Sequence, residues 1–315
     1  MLVGSVKRQL KQAIPAYVIW ILMIILSAVL SPDFRSVGNI SNIILQATPL
    51  AIVAIGQSII LIMGGIDMSV GSVISFSTVI VATASNLVGG FGSFAVAVLA
   101  GLLVGIVNGL GVVYLKIPPL IMTISTGAIV KGLALLLLPS PGGNVSESLM
   151  SFFTASSGCF SVAGVFGILL YVIVTVFMHQ TRTGRYLYAT GGNPLHARQS
   201  GLAYNRLTIL SYALAGLFAA LAGIILAARS FSGDPVIGDT YNMDSVAAAV
   251  VGGISLTGGM GSVVGAFAGS YILAMINNTL NMLNVFAYYQ YIIKGLILVL
   301  ALLVFQLKRR KKYED

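Results

Sequence analysis

Uninterrupted apolar length is the feature that most restricts what this chain can fold into. Residues 14–30, 43–63, 70–88, 93–115, 119–138, 161–179, 207–228, 262–280 and 285–307 form apolar runs. Each is close to the roughly 20 residues that a helix needs to cross the hydrocarbon core of a bilayer. Backbone amides and carbonyls in lipid must be satisfied within the segment, which a helix does and an open strand does not. The runs lack the alternation of an outer-membrane barrel strand. Only 8% of the residues are charged, against about 25% in an ordinary soluble domain. The expected fold class is an all-α, polytopic membrane helical bundle.

The net charge of +9 raises the question of nucleic acid, and the positions of the charges answer it. Lys7, Arg8 and Lys11 precede the first run; Arg182, Arg185, Arg198 and Arg206 sit between the sixth and seventh; Lys308 to Lys312 form a KRRKK tail after the last run. Basic residues flanking apolar helices follow the positive-inside pattern and neighbour anionic lipid headgroups, so no nucleic-acid partner is expected. The basic segment before the first run resembles a signal peptide, but no small-x-small cleavage site follows Leu30, and an uncleaved first helix is expected. With residues 1–13 as a cytoplasmic basic N-terminus, counting spans places the tract 180–206 in the cytoplasm. Asp234, Asp239, Asp244 and Glu147 then fall in external loops.

The segment SVAAAVVGGISLTGGMGS, residues 245–262, is short and broken by glycines including Gly252 and Gly253. Parity favours a crossing, because otherwise the KRRKK tail would lie outside. The expectation is therefore about ten spans within 14–307, with Gly-interrupted helices, both termini cytoplasmic and 308–315 as the basic tail. A second interruption, MGGIDMSVGS, contains Gly64, Gly65 and Asp67. Such breaks are tolerated where the backbone lines a cavity or is buried in protein; two tight helix hairpins explain them equally well. Small residues recur every four positions at Ala97, Gly101, Gly105 and Gly109, at Ala215, Ala219, Gly223 and Ala227, and at Gly261, Gly265 and Gly269. These stripes predict close helix packing rather than a pore lining.

Little in the chain suggests an enzyme. No GxxxxGK[ST] loop, zinc spacing or GxSxG elbow is present. One cysteine, Cys159, makes no internal disulfide, and with His179 and His196 it makes no metal site. An ion-coupled carrier or channel for a small neutral solute is the alternative, and it needs ionisable groups near the midplane. Asp67 better suits a helix cap, Lys131 snorkels outward, and Lys294 lies deeper with Gln290 one turn away. Asn277, Asn281 and Asn284 follow i, i+4, i+7 spacing. They either bond neighbouring helices or form an amide stripe along a path for a hydroxylated solute.

The polar tract offers a third reading. Asn193 suits a cap, Pro194 a first helical position, and Gly201 a stop, which predicts a helix of about two turns, roughly 10 Å long. A helix that short does not stabilise itself. It is either a solvated loop helix or one docked on a partner that supplies energy.

Four segments in order, GGIDMSVGS, GRYLYATGGNPLHARQSGL, VAAAVVGGISLTGGMGSVVGAF and NNTLNMLNVFAYYQYIIKGLILVLAL, resemble the permease subunits of ribose/xylose/galactose-type ABC importers. The likeness runs from residue 40 to 305; 139–160 matches poorly, and Met68 stands where many relatives carry Leu. The resemblance implies a bacterial or archaeal cytoplasmic-membrane subunit that pairs with a second copy or a paralogue. It also implies a cytoplasmic ABC ATPase that uses ATP and Mg, so that this chain holds no cofactor, and a periplasmic or lipid-anchored sugar-binding protein. It places the ATPase-coupling loop on Gly184, Arg185, Gly191, Gly192, Asn193, Ala197, Ser200 and Gly201, a tract that also holds Pro194 and Arg198. Arg35 and Arg229, both expected outside, are candidates for contact with the binding protein.

Overall fold

The computed structural model describes residues 2–299 except 159, 287, 291, 294, 297 and 298, with backbone alone for 2–12, 157 and 160. Lys294, much of the expected last span 285–307 and the tail 308–315 lie outside the described residues. The elements are α1 (Leu2–Leu30), a 3-10 turn (Pro32–Arg35), α2 (Val37–Ile62), α3 (Val70–Val113), α4 (Pro119–Leu137), α5 (Glu147–Thr154), α6 (Val162–Gln180), α7 (Arg182–Gly192), α8 (Pro194–Gln199), α9 (Tyr204–Ser230), α10 (Tyr241–Val251) and α11 (Val263–Met282). A two-residue ladder joins Ser156–Ser157 to Phe160–Ser161. The architecture among the described residues is otherwise helical, as the apolar runs require.

Among the described residues, seven helices are long and apolar enough to cross a membrane: α1 from Ala13, α2, α3, α4, α6, α9 and α11. One of them is doubled. Straight, the 44 residues of α3 would reach about 66 Å, twice a bilayer core. Instead the chain reverses at Gly89, whose φ of 72° and ψ of 177° suit glycine alone. The reversal brings Asn108 back to the start of the helix, where its Nδ2 donates to Ser69 Oγ at 2.9 Å. Near the bend the Ser85 and Ser93 hydroxyls meet at 3.2 Å. The runs 70–88 and 93–115 are thus two antiparallel limbs.

Around α9 the small-residue stripes find their partners. A methyl at Gly101 would overlap Gly216 O, one at Gly105 would overlap Tyr212 O, and one at Gly109 would lie 2.7 Å from Ile209 Cα. On the other side of α9, Ala215 Cα would lie 2.7 Å from a methyl on Gly56 of α2. So α9 is sandwiched between α2 and both limbs of α3, its backbone in direct contact with theirs. Gly265 and Gly269 of α11 pack in the same way on Gly252 and Ala248. Gly261, expected in that stripe, precedes the helix, with φ +117°.

One expectation about 229–262 needs correction. The expected external loop 229–244 enters the bundle. Gly233 bridges Gly142, Asp234 N donates to Thr78 Oγ1 at 2.9 Å, Gly238 N donates to Ser75 Oγ at 2.9 Å, and Gly71 N donates to Asn242 Oδ1 at 2.8 Å. The chain descends beside α3 while hydroxyls and an amide satisfy backbone groups that lipid would leave bare. Helix α10 then begins at Tyr241 and lasts only 11 residues, too short to cross alone. Residues 252–262 finish the descent without helix, through positive φ at Gly253, Gly258, Gly259 and Gly261. Lys131 does reach the surface, where Nζ meets Asp239 Oδ2 at 2.6 Å. Being exposed, the pair contributes at most about 1 kcal/mol.

Candidate coupling site

The tract that opens after α6 folds into two short helices rather than one. Thr181 caps the first: its hydroxyl accepts from Gly184 N at 3.1 Å and donates to Phe177 O at 2.7 Å. Gly184 is required there, because a methyl would overlap the carbonyls of Phe177 and Met178. Sequence reasoning missed α7, whose glycines depress helix propensity. Its signal was the buried face Gly184, Leu187, Tyr188 and Gly191, spaced by three and four.

Helix α8 has the expected signature. Asn193 Oδ1 accepts from His196 N at 3.1 Å, Pro194 leads, and Ser200 N donates to His196 O at 2.9 Å. Gly201, at φ +76°, donates to Arg198 O, and Leu202 N to Ala197 O, each at 3.0 Å. Ala197 is buried, whereas Leu195 is 65% exposed. The Arg198 guanidinium lies 4.1 Å above the Tyr204 ring and ties α8 to the root of α9. Arg185 Nη1 donates to Gln180 O at 3.0 Å.

What the sequence could not show is where this pair of helices is fastened. Gly191 touches the last carbonyl of α2 so closely that a methyl there would overlap Ile62 O. The same Ile62 O accepts from Gly259 N at 2.8 Å. A methyl on Gly258 would be 2.5 Å from Gly191 O, and one on Gly259 would be 2.5 Å from Gly192 Cα. Gly64, at φ +81°, borders both Gly191 O and Gly258 Cα. Tyr188 Oη donates to Gly261 O at 3.0 Å; burial pushes this phenol above its ordinary value, so it stays a neutral donor. Both glycine-rich interruptions therefore end on α7, at a joint made of backbone.

The other break residues sit around this joint. Gly65 N donates to Ile60 O, and a methyl on it would be 2.8 Å from Tyr212 Oη. Gly252 abuts Gly265, and Gly253 turns the chain at φ +91°. Asp67 is buried but is not the cap of α3; Ser69 holds that position. Asp67 Oδ1 instead accepts from Ser69 N at 2.8 Å and Ser69 Oγ at 2.6 Å, an Asx-type turn formed before the helix starts. Ser69 Oγ accepts from Asn108, and Met68 N donates to Thr123 Oγ1 at 3.0 Å. Among the described residues, Asn108 Oδ1 and both amide atoms of buried Gln57 find no protein partner. Neither residue was singled out from sequence.

The amide stripe lies at the opposite end. Asn39, near the start of α2, exchanges bonds with Asn278, which sequence reasoning passed over: 2.8 Å from Asn278 Nδ2 and 3.3 Å from Asn39 Nδ2. Asn277 keeps a buried Oδ1 without a partner among the described residues, and Gln290 Nε2 donates to Asn281 Oδ1 at 2.7 Å. Asn284 does not share the helical face expected of it. It lies past the end of α11 at φ 55°, and Val285 N closes the helix on Leu280 O. Asparagine tolerates that left-handed position better than most residues. Exposed Arg35 and half-buried Arg229 also lie at this end.

A protein-family model described as "Branched-chain amino acid transport system / permease component" matches residues 39–302. The ribose import permease protein of Escherichia coli (strain K12) is 34% identical over 296 residues, 90% of each chain. That of Bacillus subtilis (strain 168) is 35% identical over 289 residues, 90% of this chain and 89% of its own. The galactose/methyl galactoside import permease protein of Haemophilus influenzae is 34% identical over 316 residues, 93% of this chain and 94% of its own. No solved structure matches the chain.

Proposed function

The chain belongs to the branched-chain amino acid transport system / permease component family, and from that premise we propose that it forms the membrane path of an ATP-driven importer for a monosaccharide or similar polyol. It is a membrane permease subunit of the ABC importer class, not an enzyme. The family description speaks of amino acids. The relatives similar over about nine-tenths of this chain are permeases for ribose and for galactose, which is why a sugar is the proposed cargo.

The proposed topology has ten crossings: eight from the seven long helices with α3 counted twice, one from the broken segment through α10, and one from 285–307. The end carrying α7 and α8 is placed in the cytoplasm. Its Arg182, Arg185, Arg198 and Arg206 have no acid in the same tract, while Asp33, in the turn before α2, and Glu147, at the start of α5, belong to the other end. In this arrangement both termini are cytoplasmic, as sequence reasoning expected. A binding protein delivers the solute near Arg35 and Arg229, and a second copy or a paralogue completes the path.

The observation that carries the coupling role is the backbone joint at Gly191. An ATPase that displaces α8 displaces α7, and with it the ends of both interrupted crossings. Driving a two-state path from 1:99 to 99:1 takes about 5.5 kcal/mol of differential binding, which nucleotide binding to the partner's two halves would supply. Gly184, Arg185, Gly192, Asn193, Pro194, Ala197, Arg198, Ser200 and Gly201 shape the lever. Asn277, Asn281, Gln290 and Lys294 are proposed for the path, to which Gln57 and Asn108 are added.

Uptake in proteoliposomes distinguishes this reading from an ion-coupled carrier. With the co-purifying ATPase, binding protein and ATP, sugar is expected to accumulate against its gradient; without ATP, accumulation is expected to stop. Accumulation driven by an ion gradient alone would identify a carrier instead.

A further inference from the structure

The second glycine-rich interruption presents a surface as well as a joint. Residues 255–260 close on themselves: Ser255 N donates to Met260 O at 3.1 Å, Gly258 N to Ser255 O at 3.3 Å, and Thr257 N to Ser255 Oγ at 3.2 Å. Positive φ at Gly258 and Gly259 makes so tight a turn possible. From it project Leu256 and Met260, each 39% exposed. Gly259 packs on Gly192, two residues before Pro194, so this turn stands beside α8 and its exposed Leu195.

Three large apolar side chains thus stand exposed at the end of the bundle that carries the arginine tract. Exposed apolar side chains at a watery end mark a contact surface rather than a lipid face. The turn is held by backbone contact between Gly258 and Gly259 and the last residues of α7, Gly191 and Gly192, directly ahead of the Asn193 cap of α8.

Resting on the coupling role above, we propose that the 255–260 turn is the second half of the ATPase docking surface, with Leu256 and Met260 entering the same socket as Leu195. The partner surface that fits has an apolar floor and an acidic rim, since Arg198 and Arg206 lie nearby and 180–206 contains no acid. Docking through both halves grips α7 and the second interrupted crossing together, so neither slides past the other as the ATPase moves.

The test uses the full-length permease in detergent and the ATPase that co-purifies with it. Leu195→Asp, Leu256→Asp and Met260→Asp are each expected to weaken association by at least about tenfold, as loss of a central apolar anchor does. All three positions are exposed, and an unchanged thermal melt of the permease alone confirms that each variant is folded. A photo-crosslinking residue at Leu256 is expected to capture the ATPase chain. If Leu195→Asp weakens association while Leu256→Asp and Met260→Asp leave it at the wild-type level and no crosslink forms, the second half of the surface is refuted and the α8 lever stands. If no variant weakens association, the lever falls too.

Discussion

Adding one methyl group at Gly191 is expected to reduce ATP-driven uptake at least tenfold while the neighbouring substitution, Gly192→Ala, leaves it near the wild-type level. The two glycines are adjacent, at the end of the same helix, and differ only in what they face. A methyl on Gly191 would overlap Ile62 O and crowd Ile62 C at 2.8 Å and Met63 Cα at 2.9 Å, all of them backbone. A methyl on Gly192 would meet nothing nearer than Gly259 Cα at 3.8 Å, an ordinary contact. Backbone does not swing aside as a side chain does, so α7 must lift away from α2 or distort. Either response costs on the order of 1–3 kcal/mol, and about 1.4 kcal/mol is a factor of ten in an equilibrium. The diagnostic measurement is uptake together with ATP hydrolysis by the assembled complex. The Gly191→Ala complex is expected to hydrolyse ATP without moving sugar in proportion. Equal uptake in the two variants would mean that the joint does not transmit motion.

The second large effect concerns the bundle itself. Gly105→Leu is expected to lower the stability of the folded subunit by about 3 kcal/mol or more, because its Cβ would overlap Tyr212 O and lie 2.8 Å from Ala213 Cα. In lipid no hydrophobic force rejoins helices that have been pushed apart; close packing is what holds α9 against the second limb of α3. The comparison is Gly132→Leu on α4, where a side chain would enter open space. Thermal melting in detergent should show a clear drop for Gly105→Leu and little change for Gly132→Leu. Similar drops would show that the small-residue stripe does not set the packing distance.

Much of this architecture was legible because lipid allows few solutions. Continuous apolar runs located the long helices, the limbs of α3 included, which the sequence already separates as 70–88 and 93–115. Asn193, Pro194 and Gly201 defined α8 through purely local chemistry. The four-residue spacing announced close packing, yet not which helices would meet. Asp67 was misread by two positions because Ser69, the residue it bonds, is itself a good cap. Asn284 fitted the helical period but sits beyond the helix end, where a left-handed residue is needed. Counting spans makes 229–244 an external loop, whereas its Asp234 and Gly238 amides donate to the Thr78 and Ser75 hydroxyls of α3. The glycine joint was beyond local reasoning altogether. It brings together Ile62, Gly191 and Gly259, residues far apart in sequence, and backbone contact leaves no side-chain signature.

The lever has force only if it faces the compartment where ATP is hydrolysed, and one measurement decides that. Gln199, at the end of α8, and Glu147, at the start of α5, are both exposed and belong to opposite ends of the bundle. In a Cys159→Ser background, the Gln199→Cys and Glu147→Cys variants are treated with a membrane-impermeant maleimide applied outside intact spheroplasts. Glu147→Cys is expected to react at once, and Gln199→Cys only after the membrane is opened. Reaction of Gln199→Cys from outside, with Glu147→Cys protected, would turn the molecule over and leave the arginine tract with no ATPase to meet.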